Sequence, residues 1–383
     1  MKIKIGIDGN EANSVDRVGI GQYAYHLLKH IHQFVKDDKN IQINIYLKNQ
    51  PIKDLPPVSN NWKYQVFGPK FLWTQLALPA RLILQRDKPK VFFSPTHYAP
   101  RFCPCRRAIS VMDLSYLKYP DMFLKKDLWQ LKNWTLYSIQ KSQKIFTISK
   151  FSKDAIISNF NVIEDKVIVT YPGYDKELFK PQNDSKKLLE AYISLKKQYG
   201  ISGKFILFVG TIQPRKNILN LARAFNTLKK DSKNSNLQLI IVGKKGGLYE
   251  EIIMEINKYN FNKDIVMPDY ISADTLVKLY QSAICLVLPS LYEGFGLPVI
   301  EAMACGCPVA VSNTSSLPEI VGEAGLTFDP DNIQDIMVKL ELLISDETVR
   351  RHYMQTGLLH VKKYDFKNCA KKTLEVLLEL GSN

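Results

Sequence analysis

Along most of the chain, short unbroken apolar runs alternate with longer segments whose apolar residues recur every three or four positions. The runs IKIGID (3–8), IQINIYL (41–47), VFFSP (91–95), AISVMD (108–113), KIFTIS (144–149) and KVIVTY (166–171) read as strands buried on both faces. Between the first two, GQYAYHLLKHIHQFV (21–35) sets Ala24, Leu27, Leu28, Ile31 and Phe34 on one helical face. Strands separated by helices imply parallel sheets covered by helices, so the fold class is α/β.

A second series follows: KFILFVG (204–210), LQLIIVG (237–243), DIVMP (264–268), AICLVLPS (283–290) and PVAVS (308–312), with helices near 217–230 and 248–259. Both halves have the doubly wound pattern, and neither repeats the other's sequence. The polar stretch LFKPQNDSKK (178–187) separates them. The expected domains are 1–185 and 186–365, and a tail, 366–383, forms a last helix that is expected to cross back onto the first domain.

Length agrees with this division, because 383 residues exceed what one core usually organises and favour two domains sharing a cleft. The start MKIKIGIDGN reads as a strand entering a glycine loop, and no run of about 18 apolar residues occurs, so a cytoplasmic location is expected. The six cysteines, including the pairs Cys103/Cys105 and Cys305/Cys307, lack C-x-x-C spacing and are expected to be reduced and metal-free. A net charge of +15 predicts attraction to anions. The lysines are dispersed, and no zinc-finger, RNP or heptad pattern accompanies them, which sets nucleic acid aside and leaves phosphorylated small molecules or acidic lipid.

The chemistry concentrates in LYEGFGLPVIEAMACG (291–306), where Glu293 lies in a glycine-rich loop and Glu301 is expected in the first turn of the helix that Pro298 opens. Loops at the carboxyl ends of parallel strands line the ligand crevice, so both acids can face it. Gly294 and Gly296 let backbone approach a ligand, and amides at a helix start attract phosphate. Carboxylates repel phosphate but accept from hydroxyls, so amides and acids together suit a ligand that is both sugar and phosphate. The competing reading makes Glu301 a helix-dipole acid and Glu293 a solvated one. A second loop, GTIQPRKN (210–217), follows another strand and offers Arg215 and Lys216 for a diphosphate. Near the N-terminus, Gly19 and Gly21 open the first helix.

At these residues the chain resembles the large family of retaining, GT-B-fold glycosyltransferases that includes many bacterial mannosyltransferases. The carriers are the Glu293-to-Glu301 E-x7-E element, GTIQPRKN, the GIGQY loop, SVMDLSYLKYPDMF (110–123), TISKFSKDAI (147–156) and VTYPGYDKELFKP (169–181). The resemblance implies two Rossmann-like domains facing a cleft, with the nucleotide-sugar held mostly by the second and the acceptor by the first. It implies retention of anomeric configuration, with no metal and no cofactor beyond the nucleoside-diphosphate sugar substrate. By the same resemblance Glu293 contacts sugar hydroxyls and Glu301 the ribose diol. Arg215, Lys216 and backbone from Gly294 through Phe295 and Gly296 to Leu297 grip the diphosphate, with Gly210 beside them. Tyr270 and Ile271 border the base, whether GDP, UDP or dTDP, and Gly19 and Gly21 approach from the first domain. Many relatives have His-Asp where this chain has Met112 and Asp113. Two ways to receive the acceptor's proton stay open: Asp113 with the leaving phosphate, or His97 acting from the neighbouring strand end.

The implied activity is hexosyl transfer to a glycan or lipid-linked oligosaccharide in surface polysaccharide biosynthesis. A GT-B sugar-nucleotide epimerase and a non-catalytic nucleotide-sugar or polyanion binder are the alternatives. The segment KDLWQLKNWTLYSIQKSQK (126–144) mixes Trp129, Trp134 and Tyr137 with lysines, after RFCPCRR in the same domain. It suits peripheral contact with an anionic membrane, or else an ordinary helix with Leu128, Leu131, Leu136 and Ile139 turned inward.

Overall fold

The computed structural model describes every residue except Met1, Val18, Asp269, Tyr270 and Asn383. The chain forms two compact units: residues 1–118, 124–173 and 365–383 make the first, and 119–123 with 174–364 make the second.

The first unit is built on a seven-stranded sheet of order β3-β2-β1-β4-β5-β6-β7. Its strands are β1 (Ile3–Asp8), β2 (Ile41–Leu47), β3 (Trp62–Val66), β4 (Val91–Ser94), β5 (Arg106–Ser110), β6 (Lys144–Thr147) and β7 (Val167–Val169), every neighbouring pair parallel. The helices are α1 (Ile20–Val35), α2 (Ala77–Leu84), the short α3 (Ser115–Lys118), α4 (Lys125–Lys141) and α5 (Lys150–Phe160).

The second unit opens with α6 (Ser185–Tyr199), and its six-stranded sheet runs in the order β10-β9-β8-β11-β12-β13, again parallel. Along the chain come β8 (Phe205–Val209), α7 (Ile218–Leu228), β9 (Gln238–Val242), α8 (Tyr249–Ile256), β10 (Ile265–Val266) and α9 (Ala273–Ser282). Then follow β11 (Cys285–Leu288), α10 (Leu297–Ala304), β12 (Val309–Ser312), α11 (Leu317–Val321), β13 (Leu326–Phe328), α12 (Ile333–Ser345) and α13 (Glu347–His360). The last helix, α14 (Phe366–Ser382), packs on α1 in the first unit.

The core of the first unit shows why the chain passes to the second unit near Gly173, ahead of the polar stretch around 185. A Cβ on Gly173 would lie 2.2 Å from the Phe366 amide nitrogen, so the returning tail is packed directly on the departing chain. His26 stacks on Phe366 at 4.5 Å, which gives that histidine a packing role on the α1–α14 seam. Apolar side chains alternate between the two sheet faces. Ile45, Leu47 and Phe93 join the core under α1 and α14, whereas Tyr46 and Phe92 pack with Trp73, Leu78 and Leu82 of the α2 side.

Two strands lie where no strand was expected, β3 and β13. WKYQV buries only Trp62 fully, and LTF has three residues, so neither presents the continuous apolar run that marks a doubly buried strand. On α4, Ile139 is buried and Leu128 and Leu131 are half-buried, but Leu136 is exposed instead of turned inward. Thr135 and Ser138 take the buried positions beside Ile139.

Candidate active site

Two strand-end loops of the second unit bring three charges together. After β8 the chain makes a single 3-10 turn, Pro214–Lys216, before α7 begins, and this turn carries both Arg215 and Lys216. A Cβ on Gly243, after β9, would fall 1.7 Å from the Gly210 carbonyl oxygen, so these strand ends approach as closely as only glycine permits. After β11 the loop delivers Glu293, which is buried. Lys216 Nζ donates to Glu293 Oε1. Arg215 Nη1 lies 3.6 Å from Oε2 and donates to the Tyr292 carbonyl at 2.9 Å.

Hydroxyls lock the loop around this cluster. Ser290 Oγ donates to Glu293 Oε1 at 2.9 Å. From the loop after β12, Ser315 Oγ accepts the Glu293 N–H at 3.0 Å, and Ser316 Oγ donates to the Glu293 carbonyl at 3.0 Å. Burial would raise the Glu293 carboxyl, but Lys216 and Arg215 outweigh it and hold the group below its usual range. Glu293 is thus ionised inside a dry ion cluster, which excludes the solvated-acid reading.

Glu301 is placed differently. The first turn of α10 carries no acid, and Glu301 falls one position beyond it, because α10 begins at Leu297 with Pro298 second. Glu301 thus lies beyond the first turn in which the sequence placed it, and it is not the helix-dipole acid of the competing reading. Tyr280 of α9, itself fully buried, donates its hydroxyl to Glu301 Oε2 at 3.0 Å. No strong cation offsets burial here, and the Glu301 carboxyl is pushed up to about 7.

Between the two acids, Gly294, Phe295 and Gly296 are buried and Leu297 is half-buried. The Phe295 ring meets Tyr364 edge-on at 5.4 Å, so Phe295 holds the loop down by its side chain. Gly296 precedes the helix with φ 101°, and a Cβ there would meet Leu317 at 2.9 Å. Ile271 is half-buried just before α9, while Tyr270 lies outside the described residues.

The first unit holds the remaining sequence-derived positions at its own strand ends. Gly19 precedes α1 with φ 47°, and Gly21 is buried in its first turn. After β5, Asp113 Oδ1 accepts from the Ser115 amide at 2.9 Å and its hydroxyl at 2.8 Å, starting α3. His97, after β4, is buried, and its Nε2 accepts the Met112 N–H at 3.2 Å. That bond assigns the proton to Nδ1. Burial lowers the His97 pKa, with Asp113 opposing, so the ring is neutral.

Residues 181–358 match the model of the family described as glycosyl transferases group 1. The chain is also 30% identical over 294 residues to the O-antigen chain mannosyltransferase B of Escherichia coli, covering 76% of this chain and 74% of that one. The chain belongs to the group 1 glycosyl transferases.

This transferase is 29% identical over 262 residues to a Campylobacter jejuni enzyme, N-acetylgalactosamine-N,N'-diacetylbacillosaminyl-diphospho-undecaprenol 4-alpha-N-acetylgalactosaminyltransferase, covering 67% of this chain and 66% of that one. Its fold matches that of Anabaena HepE, solved with UDP and glucose, at a TM-score of 0.73 over 98% of this chain and 99% of that one, with 16% identity. The fold is that of GT-B glycosyltransferases.

In the transferase, the Nε2 lone pair of His97 is already committed to Met112, so this tautomer can donate from Nδ1 but cannot receive a proton. Among the described residues, His97 Nδ1 has no partner, and no three His, Cys, Asp or Glu side chains converge as a metal site. Sequence reasoning missed Tyr280, Ser290, Ser315 and Ser316. The hydroxyl run SNTSS (312–316) at the end of a buried strand was the available signal for Ser315 and Ser316. Tyr280 sits within an ordinary amphipathic helix and offered none.

Proposed function

We propose that this transferase moves a hexose, with retention and without a metal, from a nucleoside-diphosphate sugar to a glycan or lipid-linked oligosaccharide in surface polysaccharide biosynthesis, working from the cytoplasm. The observation that carries the reading is the Arg215–Lys216–Glu293 cluster at the carboxyl ends of β8 and β11, in which Lys216 and Glu293 are buried and Arg215 is half-buried. It is a cation pair held by an internal carboxylate that a diphosphate can displace. Phosphate oxygens take over Lys216 and Arg215, and Glu293 is released to accept from hydroxyls of the transferred sugar. Glu301, held by Tyr280 through one oxygen, keeps the other for the ribose diol. The names of the relatives support a hexose donor and, in the Campylobacter enzyme, a polyprenyl diphosphate-linked acceptor.

As the sugar–phosphate bond breaks, negative charge grows on the leaving diphosphate, where the two cations stabilise it by a few kcal/mol per donor. The acceptor oxygen attacks on the face the phosphate leaves, and its proton passes to that phosphate, since His97 has no lone pair to offer. Incubation with a panel of GDP-, UDP- and dTDP-sugars, with and without polyprenyl diphosphate-linked oligosaccharide, tests the reading. Acceptor-dependent release of nucleoside diphosphate and an α-linked product from an α-linked donor are expected, in the presence of a chelator. Release without acceptor, an inverted linkage, or an epimerised nucleotide-sugar would each overturn it.

A further inference from the structure

The α2 side of the first sheet carries apolar surface that nothing in the unit covers. Helix α2 turns Ala77, Leu78 and Leu82 into the core, yet its opposite stripe is apolar as well. Leu72, Leu76, Ile83 and Leu84 stand at helical spacing and are all exposed, Leu84 at 80%. Leu76 N–H donates to the Leu72 carbonyl, which extends this stripe back from the helix start. Phe71 beside it is 77% exposed. A surface helix that is apolar on two opposite stripes offers the outer one to a second burial partner.

The α4 face lies on the same side of the sheet. Arg107 is in register with Phe92, which packs under α2, and Arg107 Nη1 donates to the Tyr137 hydroxyl of α4 at 3.3 Å. Helix α4 and the residue that caps its start show solvent Leu124, Trp129 and Leu136, with Trp129 at 62% exposure. Between the helices, Phe102 is exposed on the loop whose Arg101 covers the Tyr137 ring at 5.0 Å.

Charge selects the occupant. Exposed Lys70, Arg81 and Arg86 border the α2 stripe, and exposed Lys125, Lys126 and Lys132 border the α4 stripe. The acids on these two elements and their flanks are Asp87, which pairs with Lys4, Asp121 and Asp127, fewer than the six cations. A chain of net charge +15 repels its own copy at such a face. Apolar side chains ringed by cations fit the interface of an anionic bilayer, where the former enter the acyl boundary and the latter meet phosphate headgroups.

We propose that the α2–α4 face of the first unit docks on an anionic phospholipid surface. No helix among the described residues is long and apolar enough to cross a membrane, so this contact is a peripheral one. It deepens the reading of a lipid-linked acceptor, but its test needs no turnover. Trp129 is the exposed tryptophan, since Trp62 and Trp73 are buried and Trp134 is half-buried. Its emission should shift to the blue on mixing with phosphatidylglycerol vesicles, not with phosphatidylcholine vesicles, and Trp129→Phe should abolish that shift. Co-sedimentation with the anionic vesicles should fall about tenfold or more in the triple variant Leu76→Ser, Ile83→Ser, Leu84→Ser, and on raising salt from about 0.05 to 0.5 M. These positions are exposed, so the variant should retain its melting temperature and its donor binding by calorimetry, which separates loss of docking from failure of the glycosyltransferase reading. Unchanged Trp129 emission with the protein in the supernatant, binding indifferent to the triple variant, or self-association removed by that variant would each overturn the proposal, the last by assigning the face to a second copy.

Discussion

At the carboxyl ends of β8 and β11 the second unit buries Lys216 and Glu293 beside a half-buried Arg215, whereas at the ends of β1, β4 and β5 the first unit buries Asp8, His97 and Met112. Both sets sit at the edge of a parallel sheet, where α/β folds place ligands. Their titrations run in opposite senses. Coulombic attraction outweighs desolvation at Glu293 and keeps it charged. Desolvation wins in the first unit, raising Asp8 to about 6 against its bonds to Asn10 and lowering His97. Under the proposed function, the charged edge exchanges charge with an anion and the neutral edge meets hydroxyl-bearing chemistry.

Breaking the charged edge should have the largest effect. Lys216→Ala should lower kcat/KM for the donor by about a hundredfold to a thousandfold, as loss of one preorganised transition-state donor does. It should also cost roughly 3–5 kcal/mol in urea unfolding, because Glu293 is left buried with a more distant cation. The double variant Lys216→Met, Glu293→Gln should recover most of that stability and none of the activity. Recovered turnover in the double variant would show that the cluster is structural, and the contrast between the two edges would lose its functional meaning.

Most of this architecture was readable from the chain, and the reason is physical. Strands such as LQLIIVG and AICLVLPS are buried on both faces and must be apolar throughout, so the run itself marks them. WKYQV at β3 is the edge of its sheet and alternates, which hides it. The candidate residues were legible as positions after strands, but not as contacts. Nothing in the spacing of Arg215, Lys216 and Glu293 says that the acid occupies the cations, because that pairing joins residues 77 positions apart. The second-turn position of Glu301 depended on where α10 begins, and the outward turn of Leu136 on which side of α4 meets the sheet.

A middle-sized effect should appear at Glu301, the half-buried acid beside Tyr280 with no strong cation to offset its desolvation. Its folded pKa, about 7, stands above the ordinary 4.5. The group therefore favours the native state below pH 4.5, and this advantage is lost as the pH rises through about 7. Glu301→Gln should remove that loss and gain on the order of a few kcal/mol over the parent at pH 8, with little difference at pH 4. Nucleoside-diphosphate affinity should nonetheless fall about tenfold, since a neutral amide accepts hydroxyl donors more weakly than a carboxylate. In the parent, calorimetric affinity should rise as pH passes upward through this range. Tyr280→Phe should move the inflection higher, because the tyrosine hydroxyl stabilises the ionised form. A flat affinity profile in the parent would remove Glu301 from the ribose site.

The smallest effect belongs to the neutral edge. Since Nε2 of His97 accepts from the Met112 amide, the ring offers only the Nδ1 hydrogen, and the loss of one neutral donor is worth about 1 kcal/mol, or roughly fivefold in rate. His97→Ala should therefore lower kcat several-fold without adding or removing an inflection between pH 6 and 8. His97→Gln should restore much of the rate, because its amide oxygen can replace the acceptor for Met112 while its NH2 donates. A histidine that received the acceptor's proton would behave otherwise: its removal would cost orders of magnitude and erase an acidic limb of the profile. The Gln variant separates the cases, since glutamine can supply a hydrogen bond at this strand end but cannot carry a proton.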